Sequence, residues 1–215
     1  MTGPSTPPEL PYEQVAYPPA PWPMVGSMRL SVFRLQQGVD SVRPAGLYGA
    51  AFVDYTEGSP LTYGELLVAR LMRKDEGRGR AVTITDIWVD SPASVAGGRE
   101  LWAIPKGLCD FDLESSRRGP VSSTEWSASL GQSPIASASF TDVSRIAPRI
   151  PFKQATYQPA LPEGGGEKAA GMKGSAKALP GRARWDFAAD GPLGYLRGAT
   201  QLTTLRLSDF RLSFG

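Results

Sequence analysis

The sequence predicts an all-β fold, a sandwich or a closed barrel, built as a single domain. Three observations carry this. Apolar and polar residues alternate at period two in nine short segments, each bounded by Gly, Pro, Ser or Asp, which is the signature of half-buried strands. Only one segment reads as helix. A length of 215 residues with 41% hydrophobic and 20% charged side chains suits one ordinary globular core.

Residues 1–23 hold eight prolines and no apolar stretch of the kind a signal peptide needs, so they are expected to form an extended surface arm. Its PPAPWP could serve as a polyproline ligand for a partner, but reads first as plain arm. The domain then occupies residues 24–215. Its strands begin with MRLSVFRL, GLYGAAFVDY, TYGELLVARLM and RAVTITDIWVD. TYGELLVARLMR also fits a helical period and is assigned to a strand because its neighbours are strands. SPASVAGG is a short helix, with Ser91 as its cap, Pro92 at its first position and the glycines as its stop. CDFDLE, SSTEWSASL, PIASASFTDVSRI, RARWDFAA and TQLTTLRLSDFRLSF continue the alternation. Residues 161–180, LPEGGGEKAAGMKGSAKALP, are rich in Gly, Ala and Lys and are expected to be a mobile loop, either a lid over a pocket or a plain connection.

Composition excludes several classes of function. The 23 basic and 21 acidic residues are scattered, without the basic block a nucleic-acid surface needs, and no apolar run approaches the roughly 20 residues that span a bilayer. One cysteine, Cys109, rules out an internal disulfide and a Cys-based zinc site, and fits a reducing cytoplasm. There is no histidine, which removes the commonest general base, the commonest metal ligand and every nucleophile–histidine triad. No metal or cofactor is expected; the partner is a small molecule, and a homo-oligomer is left open.

Of six lysines, Lys106 alone lies between two apolar stretches, in GGRELWAIPKGLCDF, with Pro105 and Gly107 on either side. Burial disfavours an ammonium, so the spacing predicts a lowered pKa and a free amine able to attack a carbonyl. The iminium so formed is an electron sink for decarboxylation, retro-aldol cleavage or dehydration. The plain alternative is a lysine that snorkels to solvent along a strand edge, with Arg99 and Glu100 as a structural ion pair.

DSPASVAGGRELWAIPKGL resembles the signature of the acetoacetate decarboxylase superfamily, with Asp90, Gly98, Arg99, Glu100, Pro105, Lys106 and Leu108 in register. The resemblance implies an all-β, cone-shaped closed barrel around an apolar pocket, with Lys106 as the Schiff-base lysine; lysine activation there is a known example of this chemistry. It also implies that Glu65, in TYGELLV, is a pocket glutamate, where pairing to an arginine is the structural alternative. Trp102 and Tyr63 become candidate pocket walls, or plain core. Three departures stand out. Gly107 replaces a second lysine whose charge would help to depress the pKa of Lys106, leaving burial alone to do so; the substrate-carboxylate arginine has only Arg29 as a counterpart, out of register; and GLYGAAFVDY offers no carboxylate before Asp54. True acetoacetate decarboxylation is therefore not expected, and a larger, less charged substrate is. The favoured function is a Schiff-base lyase or aldolase-dehydratase of secondary metabolism acting through Lys106 and Glu65, the alternatives being a non-covalent cyclase of a polyketide-like chain and a non-catalytic carrier.

Overall fold

Apolar side chains on both faces of GLYGAAFVDY require cover on two sides, and the computed structural model supplies it with two sheets. It describes residues 15–73, 76–142 and 147–215; the first 14 residues of the expected arm lie outside these. In chain order the strands are β1 (Trp22–Leu35), β2 (Gly46–Tyr55), β3 (Tyr63–Leu71), β4 (Val82–Val89), β5 (Lys106–Leu108), β6 (Asp110–Arg118), β7 (Val121–Leu130), β8 (Ser133–Asp142), β9 (Arg149–Gln158), β10 (Lys168–Pro180), β11 (Arg182–Phe187) and β12 (Thr200–Phe214). Helix α1 (Pro92–Trp102) lies between β4 and β5, and a short 3-10 helix spans Gly194–Gly198.

The larger sheet runs β3-β2-β1-β12-β10-β9-β4-β5, and a further ladder between β3 and β4 closes seven of these strands into a ring. All pairings in the ring are antiparallel except β4 with β9, which share one parallel bridge, Val82 with Thr156. The buried Gln158 side chain completes that joint: its Oε1 accepts from Ile84 N at 2.8 Å and its Nε2 donates to Ile84 O at 3.1 Å. The second sheet, β11-β8-β7-β6, packs on the outside of the barrel.

Alternation along β2 divides the interior into two cores. Tyr48, Ala50 and Phe52 face the second sheet, whereas Ala51 and Val53 face the barrel interior. Phe52 stacks between Trp126 of β7, at 5.0 Å, and Trp185 of β11, at 5.3 Å between ring centroids. Trp22 is buried and donates from Nε1 to Pro18 O at 2.8 Å, so the tryptophan of PPAPWP belongs to the first strand and the core rather than to a free ligand.

Two expectations need correction. Residues 168–180 are strand β10, not a mobile loop, and Arg149–Gln158 forms an unforeseen strand, β9. The small residues of β10 suit close contact: a Cβ on Gly174 would sit 2.2 Å from Arg211 O on β12. Pairing on both edges of β10 overrides its weak intrinsic strand propensity. The other correction concerns the two glycines of the helix. Pro92 does open it and the Ser91 side chain caps it, but α1 continues through Gly97 and Gly98 to Trp102 and ends at Ala103, whose φ is 53°.

Phe52→Ala removes the ring that joins the barrel to the second sheet. It is expected to lower the unfolding free energy by about 3–5 kcal/mol, measured by denaturant titration, with a smaller loss at the partly exposed Phe111.

Candidate active site

Helix α1 and the strand after it present one lysine to the barrel interior. β5 pairs in parallel with β4, setting Lys106 beside Ile87, while β3 pairs on the other edge of β4, setting Glu65 beside Val89. Ile87 and Val89 are two residues apart and share a face, so Lys106 and Glu65 emerge on the same side. They meet there, with Lys106 Nζ 2.9 Å from Glu65 Oε2 and both residues almost fully buried, 4% and 3% exposed.

Three hydroxyls complete the cluster. Lys106 Nζ also donates to Ser94 Oγ at 2.9 Å and to Tyr63 OH at 3.3 Å, and Tyr55 OH donates to Glu65 Oε1 at 3.1 Å. Ser94 lies in the first turn of α1, one turn before Gly98, so both face the lysine. A Cβ at position 98 would stand 2.8 Å from Lys106 Cδ and 3.0 Å from its Cε; the helix has no side chain there because the lysine stem fills the place. Gly97 is likewise pressed by the Trp22 ring. Arg99 reaches along the helix, donates from Nη1 to Lys106 O at 2.9 Å, and pairs with Glu163 rather than with Glu100. The lysine is thus fixed at its backbone, along its stem and at its nitrogen.

Burial alone pulls the Lys106 pKa down, but the Glu65 carboxylate beside it, helped by Tyr63, holds the net value above that of an ordinary lysine. The expected depression is therefore reversed in the resting site, which holds an ammonium–carboxylate pair. Burial raises the phenol of Tyr63, and raises that of Tyr55 well above its usual value with Glu65 adding to the effect, so both stay protonated donors.

Lys106, Glu65, Tyr55 and Tyr63 line a cavity of about 190 Å³ inside the barrel. Its walls are apolar, among them Trp22, Met24, Met28, Trp102 and Phe214. Trp102 meets Trp22 and Phe214 edge to face, each at 4.8 Å, and so is both wall and core. Among the described residues lining the cavity, Lys106 is the sole cation and Glu65 the sole anion. Among the described residues, too, no group of three or more Cys, Asp or Glu side chains is placed to ligate a metal, and no helix is long and apolar enough to cross a membrane.

The family model for acetoacetate decarboxylase matches residues 39–158, more than half of the chain, and this span holds Tyr55, Tyr63, Glu65, Ser94 and Lys106. The chain belongs to the acetoacetate decarboxylase family. Solved structures share its fold. An acetoacetate decarboxylase-like enzyme from Sphingomonas wittichii RW1 is 14% identical with a TM-score of 0.64, the match covering 91% of each chain. Acetoacetate decarboxylase from Legionella pneumophila is 15% identical with a TM-score of 0.61, over 98% of this chain and 90% of that one. The enduracididine biosynthesis enzyme MppR, solved with the condensation product of pyruvate and imidazole 4-carboxaldehyde, is 16% identical with a TM-score of 0.59, over 99% and 96%. No curated protein matches the chain by sequence.

Within this acetoacetate decarboxylase fold the expected site residues divide. Lys106, Glu65, Tyr63 and Trp102 come together at the cavity, whereas Arg29 does not. On β1, Met28 and Leu30 face the cavity and Arg29 points the other way, within 3.4 Å of Thr124 Oγ1 on the second sheet. A one-residue step along a strand reverses the face, so Arg29 cannot hold a substrate carboxylate beside Lys106. The same rule applies to Gly107: a side chain there would meet the Trp88 ring, not the lysine nitrogen, so a charge at 107 would not sit beside that nitrogen. Ser94 and Tyr55 were not foreseen. Tyr55 was legible in principle, since it follows Ala51 and Val53 at period two; nothing in SPASVAGG marks Ser94.

Glu65→Gln removes the carboxylate that holds the Lys106 pKa up and leaves burial to act. The titration midpoint of Lys106, followed through the pH dependence of its modification by a small aldehyde and borohydride, is expected above the ordinary lysine value in the parent protein and below it in the variant. A midpoint that stays or rises would show that Glu65 does not set the charge of Lys106.

Proposed function

We propose that the protein is a Schiff-base lyase of the aldolase-dehydratase type, acting in secondary metabolism on a compact, largely uncharged keto compound. The observation that carries this reading is the Lys106–Glu65 contact of 2.9 Å in the wall of a largely apolar cavity.

The pair already holds the proton that must move. Glu65 takes it from the Lys106 ammonium, and the amine adds to the carbonyl carbon of the ligand. The carbinolamine hydroxyl leaves as water with the proton returned by Glu65, which leaves an iminium on Lys106. The iminium draws in the electron pair of an adjacent C–C or C–H bond, giving an enamine and releasing a carbonyl fragment or a proton that Glu65 accepts. Protonation of the enamine, or its addition to an aldehyde followed by loss of water, restores the iminium, and hydrolysis returns product and amine. Tyr55 and Tyr63, kept protonated by burial, supply hydrogen bonds to the oxygen atoms that change charge.

Substrate class follows from the walls. A cavity of about 190 Å³ compares with the roughly 150 Å³ that takes up benzene, which supports a short chain or single ring in place of the larger substrate the sequence suggests, and so disfavours the non-covalent cyclase of a folded polyketide-like chain. With no guanidinium among the described lining residues, a small keto-acid anion has only Lys106 for its charge, and acetoacetate is poorly served. A passive carrier has no use for a buried ion pair, whose desolvation is costly. A relative of this fold that holds a pyruvate–aldehyde condensation product supports the carbonyl chemistry. Buried Cys109, the only cysteine, fits a reducing cytoplasm.

Incubation with a panel of short ketones, aldehydes and keto acids under borohydride is expected to add the reduced ligand mass to Lys106, seen by intact mass and peptide mapping, with uncharged carbonyls trapped faster than their keto-acid counterparts. Lys106→Ala, checked for folding by circular dichroism, should take up none. Absence of any Lys106 adduct across the panel would overturn the proposal.

A further inference from the structure

Strand pairing gathers five basic residues, dispersed in the sequence, on the outer face of β9, β10 and β12. Arg149 and Lys153 lie four residues apart on β9, and Lys173 and Lys177 four apart on β10, so each pair shares a face. The β9–β10 ladder sets Lys153 directly opposite Lys173 and Arg149 directly opposite Lys177. Arg211 of β12 stands opposite Ser175, between the two β10 lysines. All five are exposed, whereas Thr156, Met172, Leu212 and Phe214, on the inner side of the same strands, line the cavity.

Like charges directly opposite one another disfavour a sheet, and only one of the two pairs is relieved. Asp209 adopts a left-handed φ of 46°, a conformation that Asp tolerates better than most residues. Its carboxylate stands 2.5 Å from Arg149 Nη2, 3.1 Å from Lys177 Nζ and 3.6 Å from Arg211 Nε. Lys153 and Lys173 make no ion pair among the described residues. Five cations against one carboxylate make a strongly positive face on a chain whose net charge is only +2. The residues between and beside the two basic rows are Pro151, Ala155, Gly171 and Ser175. They offer no large apolar or aromatic side chain to enter a bilayer or to stack on a base.

We propose that this face docks a partner protein through an acidic helix laid along the strands. The row of Arg149 and Lys177 lies about 13 Å from the row of Lys153 and Lys173 at the rise of a strand. Carboxylates two helical turns apart are separated by about 11 Å, within reach of flexible lysine and arginine side chains. Arg211 broadens the contact onto the third strand. A partner seated there stands against the outer wall of the cavity, and its binding requires no Schiff-base chemistry at Lys106.

The probe is a fluorescent alanine-rich helical peptide with glutamates on one face two turns apart, and its glutamine counterpart is the control. In anisotropy titrations of the full chain at low salt only the glutamate peptide is expected to bind, with a dissociation constant that rises steeply as salt is added. Lys153→Glu combined with Lys173→Glu, both at exposed positions, is expected to weaken binding by about tenfold or more. The same change of net charge in Arg117→Glu combined with Arg118→Glu, exposed on β6, should leave it within about twofold. Asp209→Asn, which keeps a residue tolerant of positive φ, should tighten binding several-fold. Circular dichroism checks that each variant is folded. Vesicles containing phosphatidylserine and a short DNA duplex are titrated alongside. Tighter binding of either than of the peptide, lost on the same lysine reversals, assigns the face to a different polyanion and overturns the acidic-helix partner. So does a glutamate peptide that fails to bind, equal weakening in the two double variants, or no tightening in Asp209→Asn.

Discussion

Neither Lys106 nor Glu65 could remain charged alone where it stands. Removing one ion from water costs several kcal/mol even after a protein relaxes around it, and the cavity wall offers no other charge in compensation. The 2.9 Å contact is therefore a condition on the whole architecture. β4 must pair with both β3 and β5, and those pairings must fall two residues apart, or the two side chains would not emerge on one face. Closure of the barrel through the β3–β4 ladder and positioning of the site are one event.

The same contact decides the direction of the electrostatics. Dry surroundings are often invoked to supply a free amine, and here burial does act in that sense. A carboxylate at hydrogen-bond distance outweighs it and keeps the proton on nitrogen. The site stores a proton between two groups instead of exposing a bare nucleophile, and the hydroxyls of Ser94, Tyr63 and Tyr55 hold both ends of that pair in place. Chemistry then depends on what a ligand does to the balance between a charged and a neutral pair, which a compact apolar cavity makes sensitive.

What the sequence showed and hid follows from strand geometry. Segments with large side chains at period two, such as GLYGAAFVDY and RAVTITDIWVD, announced themselves because burial and strand spacing coincide there. β10 did not, because its approach to β12 requires small residues and small residues carry no periodic signal; KAAGMKGSAKALP looks like linker until β12 lies against it, and β9, RIPFKQATYQ, is mostly exposed, with only Thr156 and Gln158 buried. Lys106 was conspicuous through its apolar neighbours, and Glu65 through a lone charge in an apolar strand. Arg29 and Gly107 were misjudged for one reason: each lies an odd number of residues from a cavity-facing position, and a motif written as a line of letters does not say which way a side chain turns. Ser94 needed the helix placed against β5 before its hydroxyl meant anything.

Gly98 has a bearing on time as well as on shape. A lysine side chain free in water samples many rotamers, with an entropy worth about 2 kcal/mol. At this glycine the α1 surface is a slot, and the four-carbon stem lies in it with its nitrogen already aimed at Glu65. The freedom of that side chain is surrendered once, as the chain folds, and not again each time a ligand arrives; the amine meets every newcomer in the same pose.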